Sequence, residues 1–458
     1  MLESPCRLLV VLCCGFAACA SVDSAADHAA VRDHIRDSVG IDEVHDPAAR
    51  PVALERLAAI HANGLGRDEA CRLALLENRR LQAGFHALGV ARADYEQAGL
   101  LQNPSLGLAF LVPDGGGRAR WTADIAGSVA EAWRLPRRQA WALGGIEQRI
   151  LELSSFAGEL VADTRLAYDE CLVADESASL AGAAAELARR TLAGVRRQVE
   201  EGVATEAQKA LAENAALSAE LASQLAERQR HEARRQLGAL LSLESDLLDV
   251  ALLDGLAPAA PASFEGLVDL EAHLARRLDL RASARAVATA EAALAFERSR
   301  GFDFDAGASI ERPEGSGDLV LGPAATLELP VFDQHQASRA RAESELWQRR
   351  KEHEALVLEA RQALRAASDR AVLARRASDF ASTRLVPQAA ATVQLAERAS
   401  ALGEGTVLDL LQAQQALLAA RRTELEARHE AARAFIALQR AAGGTLVDAP
   451  ADPQDAPR

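Results

Sequence analysis

Aromatic residues and long apolar runs are scarce in this chain, and each scarcity excludes a class of structure. Aromatics make up only 4% of the 458 residues, which is too few for a thick globular core and suits thin, closely packed, alanine-rich helices. After the opening segment no stretch holds eighteen uncharged apolar residues, so we predict no transmembrane helix. Proline is absent from Arg137 to Ala257, and the helical pattern there is almost continuous.

Positive charge and catalytic constellations are lacking as well. The formal net charge of −15 argues against a nucleic-acid partner, because nucleic-acid-binding proteins present basic patches to phosphate. No Ser-His-Asp set, phosphate-binding loop or metal-ligand spacing is visible. We therefore expect no enzymatic activity, no cofactor and no metal site. His231 and His429 are isolated histidines in helical stretches, and we predict that both lie on helix surfaces.

Four of the six cysteines lie in the opening segment, MLESPCRLLVVLCCGFAAC. One arginine and then an apolar run are typical of a secretory signal peptide, predicted here for residues 1–18. FAAC, ending at Cys19, resembles a bacterial lipoprotein box, whose cysteine becomes the lipidated first residue; ordinary signal cleavage is the alternative. Cys71 and Cys171 also remain, and we expect buried thiols, although the periplasm would permit a disulfide.

The two halves of the chain repeat one another. GVATEAQKALAENAAL, from Gly202, aligns with GEGTVLDLLQAQQALL, from Gly403. Each glycine suits a turn between two long helices because it tolerates a positive φ. Thr205 and Thr406 stand where a residue would cap the returning helix. We interpret both segments as the tips of antiparallel helical hairpins; a helix break in a coiled coil is the alternative.

Both halves also contain short stretches that alternate with a period of two, the spacing of a β-strand. In the second half Phe302, Phe304 and Ile310 fall on one face, and Asp303, Asp305 and Glu311 fall on the other. We predict strands at about 302–311 and 318–331, joined by RPEGSGD. Two surface hairpins on a helical protein are the alternative interpretation.

The first half carries strands predicted at about 104–112 and 121–131. Trp121 and Trp133 would lie on one face of the second strand, twelve residues apart, close to the height of the apolar band of a membrane β-barrel. Four strands cannot close a barrel, and a membrane tolerates no open strand edge. Several chains must therefore pool their strands if these strands cross lipid.

By order, spacing and duplication of its motifs, the chain resembles the TolC-like outer-membrane factors, the exit ducts of tripartite efflux systems. The motifs that carry the resemblance are QNPSL at 102–106, RRLDLRA at 276–282, GPAATLELPVFDQHQASRARAE at 322–343, LVPQAA at 385–390 and GTVLDLLQAQQALL at 405–418. LPVFDQHQASRA looks most like the heavy-metal branch.

The resemblance implies a mainly α fold in which three identical chains form a helical tunnel under a small twelve-stranded membrane β-barrel. It implies hairpin tips at Gly202, Thr205, Gly403 and Thr406 that contact a periplasmic adaptor and an inner-membrane pump. It places Asp409 and Gln412 at a pore constriction. Asp303, Asp305 and Glu311 would face the barrel lumen, and Trp121, Phe302, Phe304 and Ile310 would face outer-membrane lipid.

These expectations divide the chain into a signal peptide, a linker at 19–65 after Cys19, a first repeat at 66–250, a second repeat at 251–443 and a disordered tail at 444–458. The predicted function is passive export through the outer membrane, with heavy-metal cations or drugs as cargo. A lipid-anchored periplasmic coiled-coil adaptor or scaffold is the competing function. It would use the helical hairpins but has no use for strands with one apolar face.

Overall fold

The computed structural model describes residues 22–47, 60, 62–112, 114, 120–243, 247, 250–261, 264–267, 269–312, 318–402, 407–444 and 446. The predicted signal peptide, Cys19, Gly403, Thr406 and nearly all of the predicted tail lie outside these residues. Within the described residues, no helix carries an apolar stretch long enough to cross a bilayer.

Helices dominate both halves of the described chain. In the first half they are α1 (Ala25–Val39), α2 (Arg67–Glu77), α3 (Arg79–Ala98), α4 (Val129–Glu200) and α5 (Glu206–Leu240). In the second half they are α6 (Leu270–Arg276), α7 (Leu278–Arg298), α8 (Gln336–Phe380), α9 (Val386–Ala401) and α10 (Val407–Ala441). A π-helical turn, Ala381–Leu385, joins α8 to α9. It precedes Pro387, whose missing N–H cannot join a regular helical ladder.

Four strands form one antiparallel sheet in the order β1-β2-β3-β4. The strands are β1 (Ser105–Leu111), β2 (Arg120–Ser128), β3 (Phe304–Arg312) and β4 (Val320–Leu327). The prediction of a mainly helical chain with four strands is therefore confirmed.

Three details of the strand prediction are wrong. β2 ends at Ser128, and Glu131 and Trp133 lie in the first turns of α4, so the two tryptophans do not share a strand. Ser128 Oγ accepts a hydrogen bond from the Glu131 N–H at 3.4 Å, which caps the helix. The helix-forming run that follows then overrides the alternation. β3 begins only after Phe302, and β4 ends before residue 328.

The helix breaks of the two halves are alike. α2 and α3 meet at Asn78, whose φ and ψ are −61° and 115°, and α6 and α7 meet at Arg277, at −65° and 122°. Each of these residues lies three positions before a buried leucine, Leu81 in the first half and Leu280 in the second. The agreement favours the internal duplication, which stays a prediction.

The chain divides into two compact units. The first contains the sheet and comprises residues 1–30, 85–150 and 285–350. In this unit α4 and α7 run antiparallel: the rings of Trp141 and Phe296 stack with centroids 5.8 Å apart, and a Cβ on Gly144 would press on the Thr289 side chain. Arg92 of α3 binds the Asp27 carboxylate through two nitrogens, at 2.6 and 2.8 Å, which fixes α1 in place.

The second unit contains residues 31–84, 151–284 and 351–458 and is held by a buried polar network around α4. The Tyr168 hydroxyl donates to the Leu65 carbonyl at 2.8 Å. Arg67 pairs with the fully buried Asp169 at 2.6 Å, and Arg234 pairs with Asp175 while donating to the Val250 carbonyl at 2.6 Å. These bonds attach the extended segment near residue 250 to the helices, because its buried carbonyls would otherwise lack donors.

Both cysteines of the second unit are free and buried. Burial raises the pKa of the Cys71 thiol to about 11 and that of Cys171 to about 12. The thiols are therefore protonated at neutral pH, as small core side chains would be.

His429 of α10 is not the surface residue that the sequence indicates. Its Nε2 atom is buried and has no hydrogen-bond partner in the described part of the chain. Burial lowers the pKa of His429 from its ordinary 6.5, and Arg433 lowers it further; Glu170, Asp169 and Glu430 act in the opposite direction. The folded chain therefore favours the neutral ring.

This burial predicts a loss of stability in acid. Because the folded-state pKa of His429 lies below the unfolded value, protonation favours the unfolded chain as pH falls below about 6.5. We expect the thermal midpoint to fall from pH 7 to pH 5, and to fall less in His429→Gln. His231→Gln, which changes an exposed histidine, should follow the wild type. Equal pH dependence in all three proteins, measured by circular dichroism, would contradict the assignment.

Candidate membrane-spanning sheet and hairpin end

Strand register brings the alternating apolar residues of all four strands onto one face of the sheet. Leu108 lies opposite Ala123, which lies opposite Ile310, which lies opposite Leu321. Directly opposed residues point to the same side of a sheet. The members of this apolar face are Leu106, Leu108, Phe110, Trp121, Ala123, Ile125, Gly127, Phe304, Ala306, Ala308, Ile310, Leu321, Pro323, Ala325 and Leu327. The last residue of β3, Arg312, lies on the same side, opposite Trp121 at the end of the sheet.

Most large side chains of the apolar face are exposed. The exposed fractions are 69% for Leu106, 69% for Phe110 and 70% for Leu321. Soluble monomers rarely expose contiguous apolar patches larger than a few hundred Å². The apolar face therefore requires an apolar environment or a partner.

The opposite face of the sheet carries mostly polar and small residues, with Leu111 and Val320 at one end. Arg120 of β2 and Glu311 of β3 form an ion pair at 2.6 Å across the strands. Asp124 and Asp305 lie on the same side, and no ion pair joins either to another described residue. Glu311 is thus partly neutralised, and the sequence analysis missed Arg120, the first residue of β2, as its partner.

Gly307 marks a close approach between the central strands. A Cβ built on this residue would overlap the Ile125 carbonyl of β2. Only glycine fits here, and glycine kinks allow a sheet to coil strongly. The two central strands can therefore curve as a closed barrel requires.

The two outer strands, β1 and β4, each pair on one side only. Their unpaired N–H and C=O groups are open to another strand. In hydrocarbon each unpaired group would cost several kcal/mol, about the transfer cost of an amide. A sheet in lipid must therefore bond β1 and β4 to further strands.

A buried arginine ties the sheet to the helices. Arg134 of α4 is 4% exposed, pairs with Asp303 at 2.6 Å and donates to the Phe302 carbonyl at 2.7 Å. Glu131 lies 3.5 Å from Arg134 and 2.6 Å from Arg138. Asp303 therefore lies just before β3 and pairs with a buried cation, whereas the alternation had placed it within the strand. Sequence reasoning missed Arg134 because the helix that carries it was predicted to begin later.

Aromatic residues lie at both ends of the strands. Trp121 pairs with Phe110 at one end of the sheet. At the other end, where the strands join the helices, Trp133 is 75% exposed and Phe302 is 68% exposed. Phe332, after β4, is also exposed. Rings of aromatic side chains at both edges of an apolar band are typical of membrane β-barrels.

The end of the first helical hairpin is well defined. Gly202 has a φ of 72°, and Thr205 and Gln208 form a capping box at the start of α5. Arg196 of α4 pairs with Glu213 of α5 at 2.9 Å just behind the turn, so the two helices run antiparallel. Gly403 and Thr406, the matching residues of the second half, lie outside the described residues.

Asp409 and Gln412, the predicted constriction residues, lie in the first turns of α10 and are exposed. They are three positions apart and therefore share one side of the helix.

Arg134 should be the residue on which the base of the sheet depends. Arg134→Gln removes the charge-assisted bonds to Asp303 and Phe302, each worth about 1.5–3 kcal/mol. Arg341→Gln is the matched control, because the Arg341 side chain is 81% exposed in its pair with Glu345 and surface pairs contribute about 0–1 kcal/mol. We expect the first change to lower the thermal midpoint of the folded protein in detergent clearly more than the second. Equal effects would contradict the assigned role.

A family model matches much of the second half of the chain, and solved structures match most of both halves. Residues 270–444 match the family model described as outer membrane efflux protein. No curated protein sequence matches the chain. The structure of CusC, whose description concerns transmembrane channel formation, is 18% identical, with a TM-score of 0.68 over 83% of this chain and 92% of CusC.

Two further channels are similar. The Campylobacter jejuni CmeC outer membrane channel has a TM-score of 0.71 at 15% identity, over 82% of this chain and 85% of CmeC. The Neisseria gonorrhoeae MtrE outer membrane channel, in its open state, has a TM-score of 0.65 at 21% identity, over 82% of this chain and 89% of MtrE. The chain therefore has the fold of outer-membrane channels, and its second half matches the outer membrane efflux protein family.

Proposed function

We propose that this protein belongs throughout its length to the outer-membrane efflux proteins and forms the exit duct of a tripartite efflux system. The observation that carries the proposal is the exposed apolar face shared by all four strands in register. A soluble scaffold has no use for such a face, whereas a membrane barrel needs it on every strand. The match of residues 270–444 to the efflux family supports the same assignment.

The free edges of the sheet, β1 and β4, indicate how several copies would close a barrel. Three chains would bond β1 of each copy to β4 of the next and form a barrel of twelve strands, the arrangement that the resemblance implies. The apolar face would contact lipid, and Asp124, Asp305 and the Arg120–Glu311 pair would line the lumen. Both Trp121 and Phe110 would lie at one edge of the apolar band.

The remaining site assignments concern the far ends of the helices. We place adaptor and pump contacts at the turns around Gly202 and Gly403, capped by Thr205 and Thr406. Asp409 and Gln412 would form the constriction when three copies meet. The three Asp409 carboxylates would then form a ring, and such rings favour cations. Heavy-metal cations are the cargo that the motif at 329–340 and these carboxylates favour.

Lipidation of Cys19 is compatible with the position of α1. Asp27 is bound to Arg92 in the unit that carries the sheet. Six residue steps lead from Cys19 to Ala25, the first residue of α1, and such a segment would span up to about 21 Å if extended. A lipid on Cys19 could therefore reach the membrane surface next to the sheet.

Neighbouring residues of β1 provide a matched test of lipid contact. Leu108 lies on the apolar face and Ala109 on the opposite one, and both are exposed. An arginine facing lipid near the bilayer centre costs about 2–4 kcal/mol, whereas the lumen accepts it. We expect Leu108→Arg to abolish the heat-resistant trimer in outer-membrane fractions and Ala109→Arg to retain it. Retention by both variants would exclude lipid contact at Leu108.

Fractionation of Cys19→Ala separates the duct from the competing scaffold. A lipid-anchored periplasmic scaffold should be released into the soluble fraction when its anchor is lost. A duct should still require detergent, because its strands hold it in the membrane. The unchanged protein is the control, and a soluble, folded variant would favour the scaffold.

A further inference from the structure

The pairing of β1 with β2 is repeated, residue for residue, in the pairing of β3 with β4. Ser105 lies opposite Ala126 in the first ladder. Asp305 lies opposite Thr326 in the second, and both residues stand 200 positions further along the chain. The same shift converts every other residue pair of the first ladder into a pair of the second. The sheet therefore consists of two hairpins of identical register.

The ladder of β2 with β3 is the contact between these two hairpins. In this ladder Ala123 lies opposite Ile310. The shift of 200 positions relates β4 to β2 and β3 to β1, so the free edges β4 and β1 are the counterparts of the two strands already in contact. A contact between copies that repeats the one within the chain would set Pro323 of one copy opposite Phe110 of the next.

We propose that β1 of each copy pairs with β4 of the next in this register, with Ala109 opposite Ala324 and Phe110 opposite Pro323. The inference rests on the proposed function, which brings three copies together, and adds to it the register between copies. In this register the apolar face continues from chain to chain, because directly opposed residues share a side of the sheet. A shift of one residue would set apolar residues against polar ones.

The strand tilt that follows from this register is that of a membrane barrel. A line perpendicular to the strands runs from Ser105 through Ala126 and Gly307 to Ala324. Ala324 would face Ala109 of the next copy, which is four residues beyond Ser105. Three copies then accumulate a stagger of about twelve residues around twelve strands, and strands about 4.8 Å apart would tilt by about 35°.

Membrane barrels have tilts of about 35–45°. A register with two residues less stagger per copy would give about 19°, well below this range. A register with two residues more would give about 46°, at its upper limit, and would not repeat the contact between the hairpins.

Gly107 in the free edge supports the same register. A Cβ on its counterpart Gly307 would overlap the backbone carbonyl of Ile125 in the neighbouring strand. Within one chain a Cβ on Gly107 would meet only the carboxylate of Asp124, which can rotate away. In the proposed register Gly107 takes the place of Gly307, opposite Thr326 of the next copy. A glycine inside a strand often marks such a close approach of another backbone.

Paired cysteines on the polar face of the sheet test the register. Ala109→Cys/Ala324→Cys sets two thiols opposite one another between copies in the proposed register. Ala109→Cys/Gly322→Cys and Ala109→Cys/Thr326→Cys do so in registers shifted by two residues. Within one chain β2 and β3 lie between these positions and separate them by about 14 Å, which is too far for a disulfide. Any bridge therefore joins two copies.

We expect oxidation with copper phenanthroline in outer-membrane fractions to convert Ala109→Cys/Ala324→Cys into covalent dimers and trimers, with a yield several-fold above that of either shifted pair. The single variants Ala109→Cys and Ala324→Cys give the background from the native thiols. Asp124→Cys/Ser309→Cys, whose positions are directly opposed within one chain, shows by peptide mass that the reagent reaches the polar face.

Two results would overturn the register: a higher yield in either shifted pair, or no bridge in any of the three pairs of a heat-resistant trimer whose Asp124→Cys/Ser309→Cys variant does form its bridge. Either result would leave the duct itself in place. A protein that forms no trimer and does not enter the membrane would contradict the proposed function as well.

Discussion

The pairing of backbone groups across β2 and β3 is the constraint on which the rest of the structure depends. This pairing joins a strand pair from each half of the chain and sets the register that aligns Ala123 with Ile310. A shift of one residue would turn the apolar side chains of one pair to the polar face. Gly307 permits the close approach, and the sheet retains two free edges that only further strands can satisfy in lipid.

Buried charged side chains on the helices, rather than a thick apolar core, hold the sheet and the extended segment near residue 250 in place. Arg134 holds the start of β3, and Arg67 and Arg234 hold the extended segment near residue 250. Thin alanine-rich helices offer little apolar volume, so hydrogen-bonded ion pairs supply much of the specificity. Such pairs are costly to break singly because the remaining charge would lie buried without a partner.

The spacing of apolar residues predicted the fold class and the two faces of the strands. Alternation of apolar and polar residues with a period of two involves only neighbouring residues, so it is visible in the sequence even in an alanine-rich chain. It did not predict where β2 ends: Val129 still fits the alternation, and the strand was predicted to run to residue 131 although Glu131 falls on the apolar face, whereas a serine cap and helix formers decide the conformation. Ion-pair partners such as Arg120 for Glu311 and Arg134 for Asp303 also escaped prediction. They depend on register and on helix packing, which link residues far apart in the sequence.

Spin labels placed singly from Phe304 to Arg312 in the reconstituted protein test the central claim most directly. The account predicts that accessibility to oxygen, which concentrates in hydrocarbon, alternates with accessibility to a water-soluble nickel complex. Labels at Phe304, Ala306, Ala308 and Ile310 should report lipid, and those at Asp305, Gly307 and Ser309 should report water. Uniform access of the nickel complex to all of these positions would contradict the claim that the apolar face lies in the membrane.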